Sequence, residues 1–264
     1  ESFKKKYPKR FINVGVAEQN MAGIAAGLAS EGFFPFCYSI ANFNTFRCAE
    51  HIRNDIDYHN LPVCTVSVGG GVAYGNMGYS HHAVQDYALM RTMPNHLICA
   101  PSDPKECSLL LNLIYSRNAP AYLRLHKQGE PVISNDTSPI VPGVPRFYAG
   151  NPNSSTALLS TGFATQGIYK RFSKSDYALY SLPAWGMSCR TPILDWVKKF
   201  QVIYIVEDHL LDGGFTSWIL ECLVGTPDIS KIRFSCLSNS TIGYVASEDV
   251  IHSKAGIFDL NLPS

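Results

Sequence analysis

The stretch Gly15-Val16-Ala17-Glu18-Gln19-Asn20-Met21-Ala22-Gly23-Ile24-Ala25-Ala26-Gly27-Leu28-Ala29 decides how this chain is read. A short apolar run, Phe11-Ile12-Asn13-Val14, precedes it and reads as a strand, while its own small and apolar residues suit a helix over 17–30. Gly23 and Gly27 are four apart, so they share a helix face with Ala22, Ala26 and Ala29 nearby. Small side chains there allow another backbone to approach closely. Strand followed by helix is the repeating unit of an α/β fold, and the unit recurs along the chain.

Further strands are expected at Phe33–Tyr38, Pro62–Val68, His96–Ala100 and Ala121–Leu125, with helices near 43–57, 82–92 and 103–116. Residues 127–154 break the rhythm, crowding Pro131, Pro139, Pro142, Gly143, Pro145, Gly150 and Pro152 into a stretch of little periodicity. The alternation restarts with strands at Thr156–Ser160, Tyr177–Ser181, Val202–Val206 and Ile232–Cys236. Helices are expected near 165–173, 191–199, 214–224 and 246–254. Such alternation implies mainly parallel sheets joined by right-handed crossovers. The expected architecture is α/β: two three-layer domains, 1–130 and 155–264, joined by a linker over 131–154.

Composition narrows the function. Twenty-two basic residues face 21 acidic ones, so no charge excess argues for nucleic acid; Lys4, Lys5, Lys6, Lys9 and Arg10 read as a solvated end. No apolar span of about 18 residues suggests a membrane helix. Cysteines 37, 48, 64, 99, 107, 189, 222 and 236 include no Cys-x-x-Cys pair, and several sit in apolar runs. Buried reduced thiols and a cytoplasmic location are the expectation.

Four segments could carry chemistry. Glu18 opens a helix at the carboxyl end of a strand, where α/β folds place ligands. Burial among small apolar neighbours would raise its proton affinity; a plain interaction with the helix dipole is the alternative. The run Phe36-Cys37-Tyr38-Ser39-Ile40-Ala41-Asn42-Phe43-Asn44-Thr45-Phe46-Arg47 sets aromatics at a strand end, suited either to sandwiching a flat heterocycle or to the core. The glycine-rich run from Gly69 to His82 is neither a phosphate-binding Walker loop nor a dinucleotide fingerprint. His81 near its end is either an acid–base group or a capping residue. Arg124, closing Ala121-Tyr122-Leu123-Arg124-Leu125, suits either an anionic substrate or a structural ion pair.

Together these segments resemble the transketolase family, in order and spacing. Arg10 through Met21 is similar to the family's RFINVGIAEQNM block, and Pro35 through Arg53 to its aromatic block ending in an Ile-Arg helix. Gly78-Tyr79-Ser80-His81 with Asp86, and Pro101-Ser102-Asp103-Pro104, resemble two further blocks. Beyond position 150 the likeness weakens to Glu207-Asp208 with Gly213-Gly214-Phe215.

The resemblance implies thiamine diphosphate chemistry. It assigns Glu18 to the aminopyrimidine ring, where it promotes the proton transfer that activates the cofactor. It assigns Phe43, with Tyr38 and Phe46, to contact with that ring, and His81, Arg124 and Arg47 to the substrate. His81 and Glu18 are thus the expected catalytic pair. The family's Gly-Asp-Gly motif, which holds Mg2+ (or Ca2+) on the diphosphate, occurs nowhere here. A partner chain carrying the diphosphate-binding domain, or a removed half of this one, is therefore implied; with a partner chain the expected assembly is an α2β2 heterotetramer with a homodimer contact between small subunits. A family chain also carries about one more strand and helix ahead of position 1. Met77 stands where many relatives have aspartate, and Val68-Gly69-Gly70 where they have a basic residue. Those departures suggest a modified sugar or an unphosphorylated aldehyde in place of ordinary pentose phosphates. Alternatives sharing this architecture are 1-deoxyxylulose-5-phosphate synthase, a 2-oxoacid dehydrogenase β chain, and a non-catalytic assembly subunit.

Overall fold

The computed structural model describes residues 2–262. Two five-stranded sheets organise the chain. In the first, β1 (Phe36–Ile40), β2 (Cys64–Val68), β3 (Leu97–Cys99) and β4 (Ala121–Leu125) run parallel in the order β1-β2-β4-β3. The second contains β5 (Arg146–Gly150), β6 (Thr156–Ser160), β7 (Ala178–Ser181), β9 (Val202–Leu210) and β10 (Ile232–Leu237), ordered β10-β9-β6-β7-β5. A two-residue strand, β8 (Ala184–Trp185), comes from within the second run of sequence. It adds antiparallel to β3 at the edge of the first sheet.

Helices cover both sheets. They are α1 (Ser2–Lys6), α2 (Glu18–Ser30), α3 (Ala41–Thr45), α4 (Ala49–His51), α5 (Asp86–Met90), α6 (Pro104–Arg117), α7 (Ala164–Phe172), α8 (Arg190–Val197), α9 (Phe215–Leu223) and α10 (Glu248–Ala255). Local chemistry sets their ends. Asp103 caps α6 by accepting from the Glu106 amide at 2.7 Å, Pro104 opens the first turn, and Asn118 closes it in the left-handed region. The same Asp103 accepts from the amides of Ile133 and Ser134, pinning the chain after β4. Glu207 on β9 caps α9 from outside, accepting from the Phe215 and Thr216 amides at 2.7 and 2.9 Å.

One continuous core joins the two sheets. Trp185 of β8 is fully buried; its ring centroid lies 5.1 Å from that of Tyr87, 5.2 Å from Phe215 and 5.3 Å from Trp218. Its indole N–H donates to Thr161 at 3.1 Å, satisfying the one polar atom such burial would strand. All eight cysteines are free thiols, five of them buried. No helix among the described residues is long and apolar enough to cross a membrane.

Three expectations are corrected. Phe11–Val14 forms no strand: it is extended chain without ladder partners, and Phe11 and Ile12 are exposed. The stretch 131–154 is not purely a linker, because Arg146–Gly150 pairs antiparallel with β7 as β5. The helix expected over 43–57 is broken into α3, a tight turn at Phe46–Cys48, α4 and a widened turn over Ile52–Asp57. Polar side chains divert the backbone at its start: Asn44 donates to the Cys37 and Val66 carbonyls, bridging β1 and β2, and Thr45 donates back to Ala41.

Candidate functional site

Because β1, β2 and β4 are parallel and in register, Ile40, Val68 and Leu125 end side by side. Their carboxyl ends therefore gather α3, the loop beginning at Gly69 and the chain after β4 on one edge of the sheet. Ligands in open α/β sheets bind at such an edge. Glu18, the first residue of α2, reaches this edge next to β1, where the Ser39 hydroxyl donates to its Oε1 at 3.2 Å. The Arg47 guanidinium donates to the other carboxylate oxygen.

Burial tends to raise the pKa of Glu18. The amide at its own helix opening, the Arg47 guanidinium and the Ser39 hydroxyl outweigh it, so the carboxyl sits below its ordinary value. The rise expected from apolar neighbours does not occur in this chain: the carboxylate is shielded by polar partners near the surface. Its side chain is 8% exposed, but the Arg47 side chain covering it is 43% exposed.

From Glu18 a continuous row of contacts leads to the glycine-rich loop. Arg47 lies over the half-buried Phe43 ring, 4.7 Å from its centroid, a cation–π arrangement one helical turn apart. The Phe43 ring meets the His81 imidazole edge-on at 5.3 Å. His81 Nδ1 lies 3.0 Å from the Ser80 hydroxyl. The fold thus brings together Glu18, Arg47, Phe43 and His81. The adjacent His82 differs: it is buried, and its Nε2–H donates to the Gly75 carbonyl at 3.3 Å, locking the loop.

Three other expected site residues stand apart. Side chains alternate across a strand, so Tyr38 lies on the opposite face of β1 from Ser39 and hence from Glu18. It is 64% exposed. Phe46 is also exposed and makes no ring contact among the described residues. Arg124 is the clearest correction. It is buried between the two sheets, with Nε on Asp86 at 2.8 Å, Nη1 on the Tyr87 hydroxyl at 3.3 Å, and Nη2 on the carbonyls of Ala83 and Asp208 at 2.7 and 3.1 Å. Four of its five N–H donors are engaged by the protein itself, the geometry of a structural ion pair. Gly70 lies beneath it: a Cβ there would come within 2.9 Å of Arg124 Cζ, so a larger residue would require Arg124 to shift.

Two contributors, Ser39 and Asn42, left no mark by which sequence reasoning could single them out. Their signal is a polar residue at a strand-to-helix turn, visible only once the turn's neighbours are known. One His/carboxylate group among the described residues, Asp208, Glu248 and His252, is compact enough for a metal ion. It lies along the junction of the two sheets and is already compensated. His252 pairs with Asp208 at 3.0 Å, while His126 and Lys127 pair with Glu248. It offers no acidic cradle on the Glu18 edge.

A two-sheet α/β chain thus sets a carboxylate, an arginine, an aromatic ring and a histidine in a row on one sheet edge. The transketolase pyrimidine-binding domain matches residues 1–131. A putative transketolase C-terminal section of Methanocaldococcus jannaschii is 39% identical over 257 residues, covering 97% of this chain and 81% of that one. An apulose-4-phosphate transketolase subunit of Phocaeicola vulgatus is 37% identical over 266 residues, covering 96% of this chain and 79% of that one. A split-gene transketolase solved as an inactive β4 tetramer superimposes with a TM-score of 0.77 at 24% identity, covering 97% of this chain and 82% of its own; it shares the fold. The chain belongs to the transketolase family.

Proposed function

We propose that the chain is the small subunit of a thiamine-diphosphate-dependent transketolase that moves a two-carbon ketol unit between sugars, and that it works only with a partner chain. The observation that carries this reading is the row Glu18–Arg47–Phe43–His81 on the carboxyl edge of the first sheet. In this reading residues 1–130 receive the cofactor's pyrimidine, 131–154 connect, and 155–264 form the C-terminal domain, with β5 and β8 tying the two together.

The residues fit the group. A carboxylate held at a helix opening is suited to hydrogen-bond a ring nitrogen, and the half-buried Phe43 ring offers a face or edge for a flat heterocycle. When bound, thiamine diphosphate supplies a carbon nucleophile and an electron sink. This chain's share is orientation and proton handling. Glu18 Oε holds or shares a proton at the pyrimidine. Arg47, on an exposed and adaptable side chain, yields Glu18 to the ring and turns to the substrate's polar end. His81 meets a substrate hydroxyl or carbonyl from the loop. Phe46 and Tyr38 then face a neighbouring chain and not the ring.

Mg2+ (or Ca2+) and the diphosphate fall to the partner chain, since no Gly-Asp-Gly is present here. Exposed apolar side chains support a partner. Val16, just ahead of Glu18, is 90% exposed, and Ile12, Phe36 and Tyr38 are also uncovered. An α2β2 heterotetramer with a contact between small subunits accommodates both needs.

Reconstitution tests the reading. The chain mixed with a partner carrying the diphosphate-binding domain, thiamine diphosphate and Mg2+ should transfer a ketol unit, whereas either chain alone should not. Full activity from this chain alone, or none from the mixture with any ketose donor, would reject it. Assaying each ketose donor and each aldehyde acceptor with and without its phosphate tests the expectation of a modified sugar or an unphosphorylated aldehyde, which a strong preference for the phosphate esters would end.

A further inference from the structure

The loop that carries His81 closes largely upon itself. Gly71 and Ala83 exchange backbone hydrogen bonds at 2.9 and 2.8 Å, His82 donates to Gly75, and the Tyr79 hydroxyl donates to Gln85 at 3.0 Å. Further bonds anchor its base to the sheet, from the Gly70 amide to the Leu125 carbonyl at 3.0 Å and from Arg124 to the Ala83 carbonyl at 2.7 Å. Asn42, on α3, holds the segment around His81 itself. Its Nδ2 donates to the carbonyls of Ser80 at 3.1 Å and His82 at 3.0 Å, the residues on either side of His81.

Both amide hydrogens are engaged, and they grip the short piece of backbone from which the His81 side chain springs. The orientation of the amide is unambiguous, because the flipped form would set Oδ1 against two carbonyl oxygens. Oδ1 itself is buried and makes no hydrogen bond to a described residue. Phe43 comes next in the chain and sets its ring against the imidazole at 5.3 Å. Consecutive residues of α3 therefore provide a backbone clamp and an aromatic wall for one histidine.

We propose that Asn42 is a positioning residue, holding His81 against Phe43 and toward the Glu18 cleft. The inference rests on the proposed role of His81. Small displacements of a catalytic group cost large factors in rate, so the clamp matters to turnover while the loop folds without it. Asn42→Ala removes both donors, and Asn42→Asp turns carboxylate oxygens toward the two carbonyls and loosens the loop further.

The experiment pairs these variants with His81→Ala in the reconstituted complex and records the imidazole carbon–proton NMR signals of His81 and His82 in the full chain. Asn42→Ala should lower kcat/KM by about tenfold and Asn42→Asp by more, up to about a hundredfold. Both should shift or broaden the His81 signal and leave that of His82 in place. If His81→Ala abolishes turnover while both Asn42 variants stay within about twofold of wild type, the clamp is refuted and the role of His81 survives. If His81→Ala leaves turnover intact, the role of His81 fails. The clamp is then judged by NMR alone: an unchanged His81 signal in Asn42→Ala overturns it, and a displaced one supports it.

Discussion

Arg47 and Arg124 both belong to the first sheet's carboxyl edge by sequence, yet the fold treats them in opposite ways. Arg47 meets one carboxylate, Glu18, and its side chain remains 43% exposed. Arg124 meets Asp86, Tyr87 and two carbonyls, and its side chain is 5% exposed. An arginine with four of its five donors engaged in the interior fastens structure. One held by a single carboxylate and an aromatic ring near the surface can change partners. The pair at Glu18 is thus open to exchange, whereas Arg124 at the junction between the sheets is held by four hydrogen bonds.

Substitution should separate the two arginines. Arg124→Met strands the Asp86 carboxylate among Tyr122 and the neutral His209, and should cost about 3–5 kcal/mol in denaturant unfolding. Arg47→Ala should cost less than about 1 kcal/mol, as exposed pairs do, while impairing turnover. Equal losses of stability would erase the distinction.

A smaller effect, in pH, sharpens the comparison from the junction side. Burial tends to lower the pKa of His126 and His252, but Glu130 and Glu248 for the first, and Asp208 for the second, outweigh it and raise both. A histidine raised in the folded state contributes stability fully below its ordinary 6.5, and loses it as pH climbs through the raised value. Asp208 runs the other way. Burial raises its pKa, His252 and Arg124 outweigh that, and its contribution holds above the ordinary 3.8 and is lost as pH falls through the depressed value. Glu207, pushed up to about 7 by burial against the help of the Thr216 and Phe215 amides, costs stability as pH rises from its ordinary 4.5 to about 7. Comparing wild type with His252→Gln cancels that cost. The denaturation midpoint of wild type should fall on the alkaline side of 6.5 more steeply than that of the variant; parallel curves would remove His252 from the junction's electrostatics.

Much of the fold is legible in the sequence, and the failures share a cause. Strands buried on both faces announce themselves, so Ala121–Leu125 and Thr156–Ser160 fall where expected, residue for residue. Phe11–Val14 is as apolar as they are, but apolar content does not say against what a segment is buried. β8, at two residues, is too short to carry a period, and β5 lies between Pro145 and the turn at Gly150. The site follows the same rule. Local motifs bring Glu18, Phe43 and His81 to one edge, while the partners of Arg124 come from Asp86 and Asp208, 38 and 84 residues away. Asn42 acts on backbone carbonyls 38 and 40 residues on, which no local pattern encodes.

Glu18→Gln is the most direct measurement, because it keeps the shape and the Ser39 neighbour while removing the charge and the proton traffic. In the reconstituted complex, thiamine diphosphate should still bind, and ketol transfer should fall by at least about a hundredfold. Transfer at the wild-type rate, with cofactor bound, would contradict the assignment of Glu18 and the account built on it.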